Sequence, residues 1–330
     1  PAPVAMAVGS LVVGVLAYLA WKGTEAEEMA LPGEPSRVAL GRFAVKEGQF
    51  RVLVPLANPA TVSRLIELAA AIAKERDGEI VALRVALIPD QLAPSAENFE
   101  VEKERAALEV AHAEAQKHGV PMTSLVRIGH NAARAILETA RERQCDLIFM
   151  GWKGFTATGQ KILGETTDDV VKHARRDIIL AKLTEHDSLK SFLLPTAGGT
   201  HARRAEEYIG SIARSVGGSL TVCSVAPTDA SAEKTAQLTD QLNQAKLRIA
   251  AKHKLDVSSQ IISNASVVDG ILAEAESHDV VVVGASRDKI YKHILFGTIP
   301  EDIAKRTSKP VILVRHYEPV KDLIGRVMEE

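Results

Sequence analysis

The chain has 330 residues and 46% of them are hydrophobic, enough to build the cores of two globular units. Its 40 basic and 42 acidic side chains give a net charge of -2, which excludes the general positive field of a nucleic-acid-binding protein. The two cysteines, Cys145 and Cys223, lie far apart, beside and inside predicted buried strands. We therefore expect two reduced core thiols, which favours a cytosolic-facing compartment.

The N-terminus differs in composition from the rest of the chain. The segment from Val4 to Trp21 carries no charge, and Tyr18 and Trp21 lie near its end, followed by Lys22. As a helix this segment would span about 27 Å, close to the hydrocarbon thickness of a bilayer. Residues 1–22 are therefore predicted to be a transmembrane helix that ends a membrane domain lying upstream of Pro1. The alternatives are a signal peptide, which would need a basic n-region, and a buried soluble helix.

Residues 23–48 mix acids with prolines and are interpreted as a connector, and residues 49–186 are predicted to form the first domain. A strand at Arg51–Pro55 is followed by Asn58 as an N-cap, Pro59 at the first helical position, and a helix over Ala60–Arg76. The other predicted strands are Ile80–Leu87, Met122–Ile128, Leu147–Met150 and Ile178–Leu183, and the other helices are Glu100–His118, Asn131–Gln144 and one after Gly164. This alternation predicts a parallel sheet covered by helices.

The second half of the chain repeats the first. Val54-Pro55 corresponds to Leu194-Pro195, and Asp146, Gly151 and Gly164 correspond, at one common offset, to Asp279, Gly284 and Gly297. A second domain is therefore predicted over 187–316, with a short tail over 317–330 and a pseudo-twofold pairing of the two copies. The predicted fold class is α/β, with two tandem, open, parallel-sheet domains of Rossmann-like type preceded by one transmembrane helix.

The stretch from Asp146 to Thr167 is the candidate ligand loop. Gly151 and Gly154 follow a short apolar run, and further on Gly164 precedes the hydroxyls of Thr166 and Thr167. Glycines here permit close approach of the backbone, and amides and hydroxyls at a helix start can bind an anion. Glycines can also merely permit a sharp strand-to-helix turn, but the recurrence of the spacing favours binding. Because phosphate-loop, zinc-protease and paired-cysteine motifs are absent, no metal and no catalytic residue is predicted.

Two such repeats, each with V-P or L-P ending the first strand and D-x-x-x-x-G…G-[ST] after the fourth, resemble tandem universal stress protein domains over about Phe50 to His316. The resemblance implies binding of ATP, AMP or another adenine nucleotide. By position it assigns the first site to Pro55, Ala57, Val85, Gly151, Lys153, Gly154, Gly164, Glu165 and Thr166. It assigns the second site to Pro195, Ala197, Val225, Gly284, Ser286, Arg287, Gly297 and Thr298.

Both predicted sites depart from the family pattern. Ala57 and Ala197 stand where the family has an aspartate that reaches the nucleotide. Glu165 occupies a hydroxyl position, where its carboxylate repels phosphate unless Lys153 or a metal offsets it, and Arg287 replaces the middle glycine of the second copy. Three interpretations stay open: a bound nucleotide, another adenine-type or small anionic ligand, and vestigial glycines.

The apolar N-terminus followed by two repeats is similar to universal stress repeats fused behind permeases of the amino acid-polyamine-organocation class. This resemblance implies a membrane-anchored, cytoplasmic regulatory module that senses a nucleotide or small anion for an amino acid permease-like transporter. Its partners would be the lipid membrane, the upstream transporter domain and, in a homodimer, a second copy. The alternative is a degenerate scaffold or dimerisation module without a ligand. A third hypothesis is a slow ATPase with Glu165 as its base.

Overall fold

The computed structural model describes residue 31 and residues 34–41, 48–89, 91, 101–154, 163–184, 186–286 and 295–318. The predicted membrane helix over 1–22, most of the predicted tail and the predicted site residue Arg287 lie outside these ranges. Within them, none of the helices combines the length and the apolar character needed to cross a bilayer.

One continuous sheet of eleven strands runs through the described part of the chain. The strands are β1 (Arg37–Leu40), β2 (Arg51–Pro55), β3 (Glu79–Leu87), β4 (Met122–Gly129), β5 (Leu147–Gly151), β6 (Asp177–Lys182), β7 (Ser191–Pro195), β8 (Ser219–Ala226), β9 (Val257–Ser263), β10 (Val280–Gly284) and β11 (Val311–Arg315). Their spatial order is β1-β4-β3-β2-β5-β6-β11-β10-β7-β8-β9.

Helices connect the strands within each repeat. They are α1 (Val62–Glu75), α2 (Val101–His118), α3 (Ala132–Glu142), α4 (Glu165–His173), α5 (Thr200–Val216), α6 (Ala232–His253), α7 (Val267–Ala275) and α8 (Thr298–Arg306). A short 3-10 turn, Pro59–Thr61, begins the first of them, and the side chain of Asn58 caps it as predicted. Because buried faces of the helices recur at helical spacing, the sequence pattern located the helices of the first repeat to within a few residues.

The strands of each repeat are parallel, which confirms the predicted α/β class. β2, β5 and β10 are almost wholly buried, and their apolar runs do not alternate with polar residues. Such runs are expected where helices cover both faces of a parallel sheet. From the centre outward, the two repeats have corresponding strand orders, β6-β5-β2-β3-β4 and β11-β10-β7-β8-β9. A pseudo-twofold pairing of the repeats stays a prediction.

The segment over 23–48, which the sequence pattern indicates as a connector, contains a short strand. β1 lies there and pairs antiparallel with β4 at the edge of the sheet. So short a strand cannot show a periodicity, and the segment is fixed instead by long-range contacts. Glu138 of α3 accepts hydrogen bonds from the Ser36 backbone N (3.1 Å) and Oγ (2.5 Å), and Arg134 donates to the carbonyl of Leu31 (2.9 Å).

The two repeats meet where β6 and β11 pair antiparallel, from Lys182 opposite Val311 to Ile178 opposite Arg315. Asp177, at the start of β6, is buried among groups of the second repeat. Its carboxylate accepts from the hydroxyl of Tyr208 (2.7 Å), the Arg204 guanidinium (2.9 Å) and the Tyr317 backbone N (2.9 Å), and lies 2.7 Å from His316 Nδ1. Burial and the neighbouring carboxylate raise the pKa of Tyr208, so its hydroxyl remains a donor.

We expect Tyr208→Phe to destabilise the chain by about 1.5–3 kcal/mol, because a buried carboxylate loses a hydrogen bond from a neutral donor. Urea unfolding of the wild-type and variant chains measures the difference. Tyr317→Phe is the matched control, since that hydroxyl receives a long bond of 3.4 Å from Arg175, and it should change stability by less than about 0.5 kcal/mol. Equal effects of the two substitutions would contradict the assignment of Asp177 as the polar centre of the junction.

A second polar link joins the start of β10 to the start of β7. Asp279 accepts hydrogen bonds from Ser188 Oγ (2.8 Å), the Lys190 backbone N (2.9 Å) and the Ser191 backbone N (3.1 Å). The hydrogen bond from the Ser188 side chain is the main reason that the pKa of Asp279 lies below its usual 3.8. The carboxylate is thus favoured by folding, so its stabilisation is complete above the ordinary pKa and is lost as the pH falls through the lowered one.

We therefore expect Asp279→Asn to flatten the acid side of the stability profile. The measurement is the urea midpoint between about pH 5 and pH 2. Asp229→Asn, at an exposed position, is the control and should give the same pH profile of stability as the wild type. A profile of Asp279→Asn that keeps the full wild-type slope would show that this carboxylate is not linked to folding.

Candidate functional site

A cavity of ≈ 480 Å³ lies in the first repeat, where β2, β3 and β5 end and α4 begins. The carboxyl ends of parallel strands are where open α/β sheets bind ligands. All nine residues predicted for the first site line this one cavity: Pro55, Ala57, Val85, Gly151, Lys153, Gly154, Gly164, Glu165 and Thr166. The sequence pattern therefore identified residues that are far apart along the chain and lie around one cavity in the structure.

The lining of this cavity combines apolar and polar groups. The apolar residues include Leu83, Ile136, Met150 and the buried Trp152. The polar residues include Lys153 and, at the start of α4, Glu165, Thr166 and Thr167. A mainly apolar cavity with a few polar groups is typical of sites for small molecules.

The glycine before α4 has a backbone that other residues avoid. Gly164 has φ +102° and ψ 150°, and Gly297 before α8 has φ +102° and ψ 156°. Each turn is held by a buried carboxylate in the first turn of the following helix. Asp168 accepts from the Leu163 backbone N (2.8 Å), and Glu301 accepts from the backbone N of Leu295 (2.7 Å) and Phe296 (3.0 Å).

These two carboxylates were missed at the sequence level. The signal was available, because Asp168 and Glu301 are separated by the same interval as Gly164 and Gly297. Both are almost fully buried, at 1% and 3% exposure, which an acid tolerates only when its oxygens are hydrogen-bonded. They form the rigid support of the two loops.

Arg84 of β3 was also missed, and it changes the part of the cavity where the family has its aspartate. Its guanidinium donates to the carbonyls of Ala57 (3.1 Å) and Leu56, and it pairs with Glu104 of α2. Asn58, beside Ala57, uses its side chain to cap the 3-10 turn. Where the family has a free carboxylate, the loop after β2 therefore presents backbone carbonyls that Arg84 holds in place.

The corresponding glycine of the second repeat has a close neighbour in its own chain. Of the predicted residues, Pro195, Ala197 and Val225 lie at or near the ends of β7 and β8, and Gly284, Ser286, Gly297 and Thr298 lie near α8. Ser286 Oγ occupies the space that a Cβ on Gly297 would need, and the Ser286 backbone N donates to the carbonyl of Phe296 (2.7 Å). Among the residues that the structure describes, none lies within 4 Å of the position that a Cβ on Gly164 would take. Gly297 is thus crowded by Ser286, whereas no described residue crowds Gly164.

Two further sequence predictions concern cysteines and metals. Cys145 and Cys223 are free and buried, and burial raises the pKa of each thiol to about 12. They are therefore core residues, as predicted. Across the ranges that the structure describes, no group of three or more His, Cys, Asp or Glu side chains is arranged to hold a metal ion.

Together these observations define a tandem α/β protein with a cavity at the strand ends of its first repeat. The pattern of the universal stress protein family matches residues 50–182 and 188–315, nearly the whole of both repeats. The chain therefore belongs to the universal stress protein family.

Comparisons with known proteins add a curated relative and several solved structures. The Na(+)/H(+) antiporter NhaS5 of Synechocystis sp. is 25% identical over 290 residues, which cover 87% of this chain and 41% of the antiporter. The chain thus spans about two fifths of the length of that relative. A universal stress protein from Archaeoglobus fulgidus superposes with a TM-score of 0.58 at 19% identity, covering 81% of this chain and 97% of that structure. The cytoplasmic domain of a prokaryotic cation chloride cotransporter superposes with a TM-score of 0.54 at 11% identity, covering 84% and 99%.

The difference between the two loops predicts different costs for the same substitution. Gly164→Ala should destabilise by about 1–3 kcal/mol, because its dihedral angles suit glycine alone. Gly297→Ala should cost at least about 1 kcal/mol more, since the new methyl group also collides with Ser286. In a Ser286→Gly background that excess should disappear, as measured by urea unfolding. If both substitutions lowered the free energy of unfolding equally in the wild-type background, the result would contradict the crowding of Gly297 by Ser286.

Proposed function

We propose that this chain is the cytoplasmic regulatory module of a membrane transporter and that it binds an adenine nucleotide in the cavity of the first repeat. The observation that carries the proposal is the grouping of all nine predicted positions around one cavity whose lining is both apolar and polar. The apolar residues suit an adenine ring, and the polar groups at the start of α4 suit a phosphate. AMP, ADP and ATP are the first ligands to test.

The transporter that we propose is a cation transporter. The antiporter relative supports this class, because its similarity extends over 87% of the chain. The amino acid permease class implied by the sequence resemblance has no support from the relatives described above. Anchoring through residues 1–22 and a cytoplasmic position for both repeats belong to the same proposal.

We assign binding, not catalysis, to the first repeat and a structural role to the second. Glu165, the candidate base of a slow ATPase, is an exposed residue at the first position of α4. An exposed carboxylate beside the cavity opposes phosphate binding more directly than it activates a water molecule. The close contact of Ser286 with Gly297 supports the degenerate-scaffold alternative for the second repeat, whose sheet and junction would hold the first in place.

Restoring the family's hydroxyl tests this proposal by a gain of affinity. We expect Glu165→Thr to strengthen ATP binding about 5–10-fold, because it removes a negative charge next to the phosphate end and adds a donor. Adenosine, which lacks phosphate, should bind both proteins equally. Isothermal titration calorimetry of the full chain with ATP, ADP, AMP and adenosine gives the affinities.

Glu233→Thr is the matched control, since Glu233 is an exposed acid in the first turn of α6 in the other repeat. It removes the same charge and should leave every affinity unchanged. A wild-type chain that binds none of these compounds below millimolar concentration would overturn the nucleotide proposal. An equal gain from both substitutions would show that net charge, not position, sets the affinity.

A further inference from the structure

The sheet ends differently in its two repeats. In the first repeat, β1 pairs antiparallel with β4 and so covers the outer side of that strand. In the second repeat, the corresponding strand β9 pairs with β8, and no other strand in the described part of the chain lies beside it. The helices α6 and α7 pack against β9, yet its residues Ser258, Gln260 and Ser263 are exposed. β9 is therefore an open edge of the sheet.

β9 lacks the features that normally protect an edge strand. Its sequence, VSSQIIS, contains no charged residue and no proline, and its register with β8 is regular from Val257 to Ser263. The opposite edge strand, β1, carries the charge of Arg37 and has an irregular register between Val38 and Leu40. Because a regular, uncharged edge is a template for another strand, we expect a further strand to pair with β9.

The backbone of β9 presents hydrogen-bonding groups on its outer side. Ser263 is the partner of Ala226 in β8, and the backbone N of Asn264 donates to the carbonyl of Ala226 (3.0 Å). In a parallel ladder this pattern directs the backbone N–H and C=O of Ser263 away from β8, and by alternation those of Ile261 and Ser259 also. Each of these three residues therefore offers one donor and one acceptor to a further strand.

The junction between the repeats shows how exposed edges pair in this fold. There β6 and β11, which are corresponding strands of the two repeats, pair antiparallel over five residue pairs. β9 has seven residues, so two copies of it are long enough to form a ladder of the same length. Since β9 carries no charge, its residues would not place like charges opposite each other in such a ladder. These features favour a second copy of the same strand as the partner.

We propose that two copies of this chain associate through β9, with the two β9 strands antiparallel about a twofold axis. The same residues of each copy then contribute to the contact, and the sheet continues from one copy into the other. The outermost described strand at both ends of the continued sheet is β1, which carries the protective features of an edge. This inference is independent of the ligand that the cavity of the first repeat binds.

Ser259→Pro in the full chain tests the proposal. Proline removes the outward N–H of Ser259 and leaves the hydrogen bonds to β8 in place, so an edge strand tolerates it. Because the twofold contact loses this donor twice, we expect the dissociation constant of the dimer to rise about 10-fold or more. Sedimentation velocity over a concentration series, in one mild detergent throughout, measures it. Ser259→Ala is the matched control, since it keeps the N–H, and it should keep the wild-type dissociation constant.

Ser259→Lys is a second variant, which adds a charge to the edge and should weaken the dimer by a similar factor. It decides the test if circular dichroism shows that the proline variant does not fold. A wild-type chain that stays monomeric up to about 0.1 mM would overturn the inference. A dimer that the folded variants leave unchanged would also overturn it, because the contact would then lie elsewhere.

Hydrogen exchange of the backbone amides locates the contact. The amides of Ser259, Ile261 and Ser263 should exchange slowly in the dimer and become fast on dilution to the monomer, since their protection comes from the second copy. Protection that persists in the monomer would show that another part of the same chain covers β9, and fast exchange in the dimer would show a different contact surface. Either result rejects the inference, and neither bears on nucleotide binding.

Discussion

The antiparallel pairing of β6 and β11 is the contact on which the rest of the molecule depends. Each repeat alone would expose one of these strands as an unpaired edge, and their pairing satisfies both rows of backbone groups. Asp177 adds a buried polar centre to which Tyr208, Arg204 and the chain after β11 contribute. The same pairing brings Lys182 and Lys309 to one cavity. That cavity, of ≈ 560 Å³, is therefore lined by residues of both repeats.

The two glycine loops show which features serve the turn and which serve a ligand. Gly164 and Gly297 have nearly identical dihedral angles, and each is followed by a buried carboxylate that holds the loop. The second loop keeps this geometry although Ser286 crowds Gly297. The positive φ is thus required by the strand-to-helix turn itself, so the recurring glycine spacing is weaker support for binding than the sequence suggested. The cavity that the nine predicted residues of the first repeat line is the stronger support.

The fold was predictable because long apolar runs and helical stripes recur in two copies, which locate strands such as β2 and helices such as α1. β1 was not predictable, since so short a strand carries no periodicity and its position depends on Glu138, which is distant in the sequence. For the site, the sequence pattern predicted which residues line the cavity but not which side chains contact one another there. The sequence shows Arg84 as a charge within an apolar strand but does not show that it binds backbone carbonyls. The contact of Ser286 with Gly297 depends on the direction of a side chain, which the spacing of residues does not encode.

Helix α3 provides a direct physical connection between the first cavity and the segment that precedes β1. Ala132 and Ile136 line the cavity, while Arg134 and Glu138 of the same helix bind the carbonyl of Leu31 and the backbone of Ser36. A ligand shifts an equilibrium only by the difference in its affinity for the two states. A ligand in the cavity therefore shifts the segment before β1 only if it packs better against one position of α3 than against another. Couplings of this kind amount to about 1–3 kcal/mol, which would be enough to change the activity of the transporter that we propose several-fold.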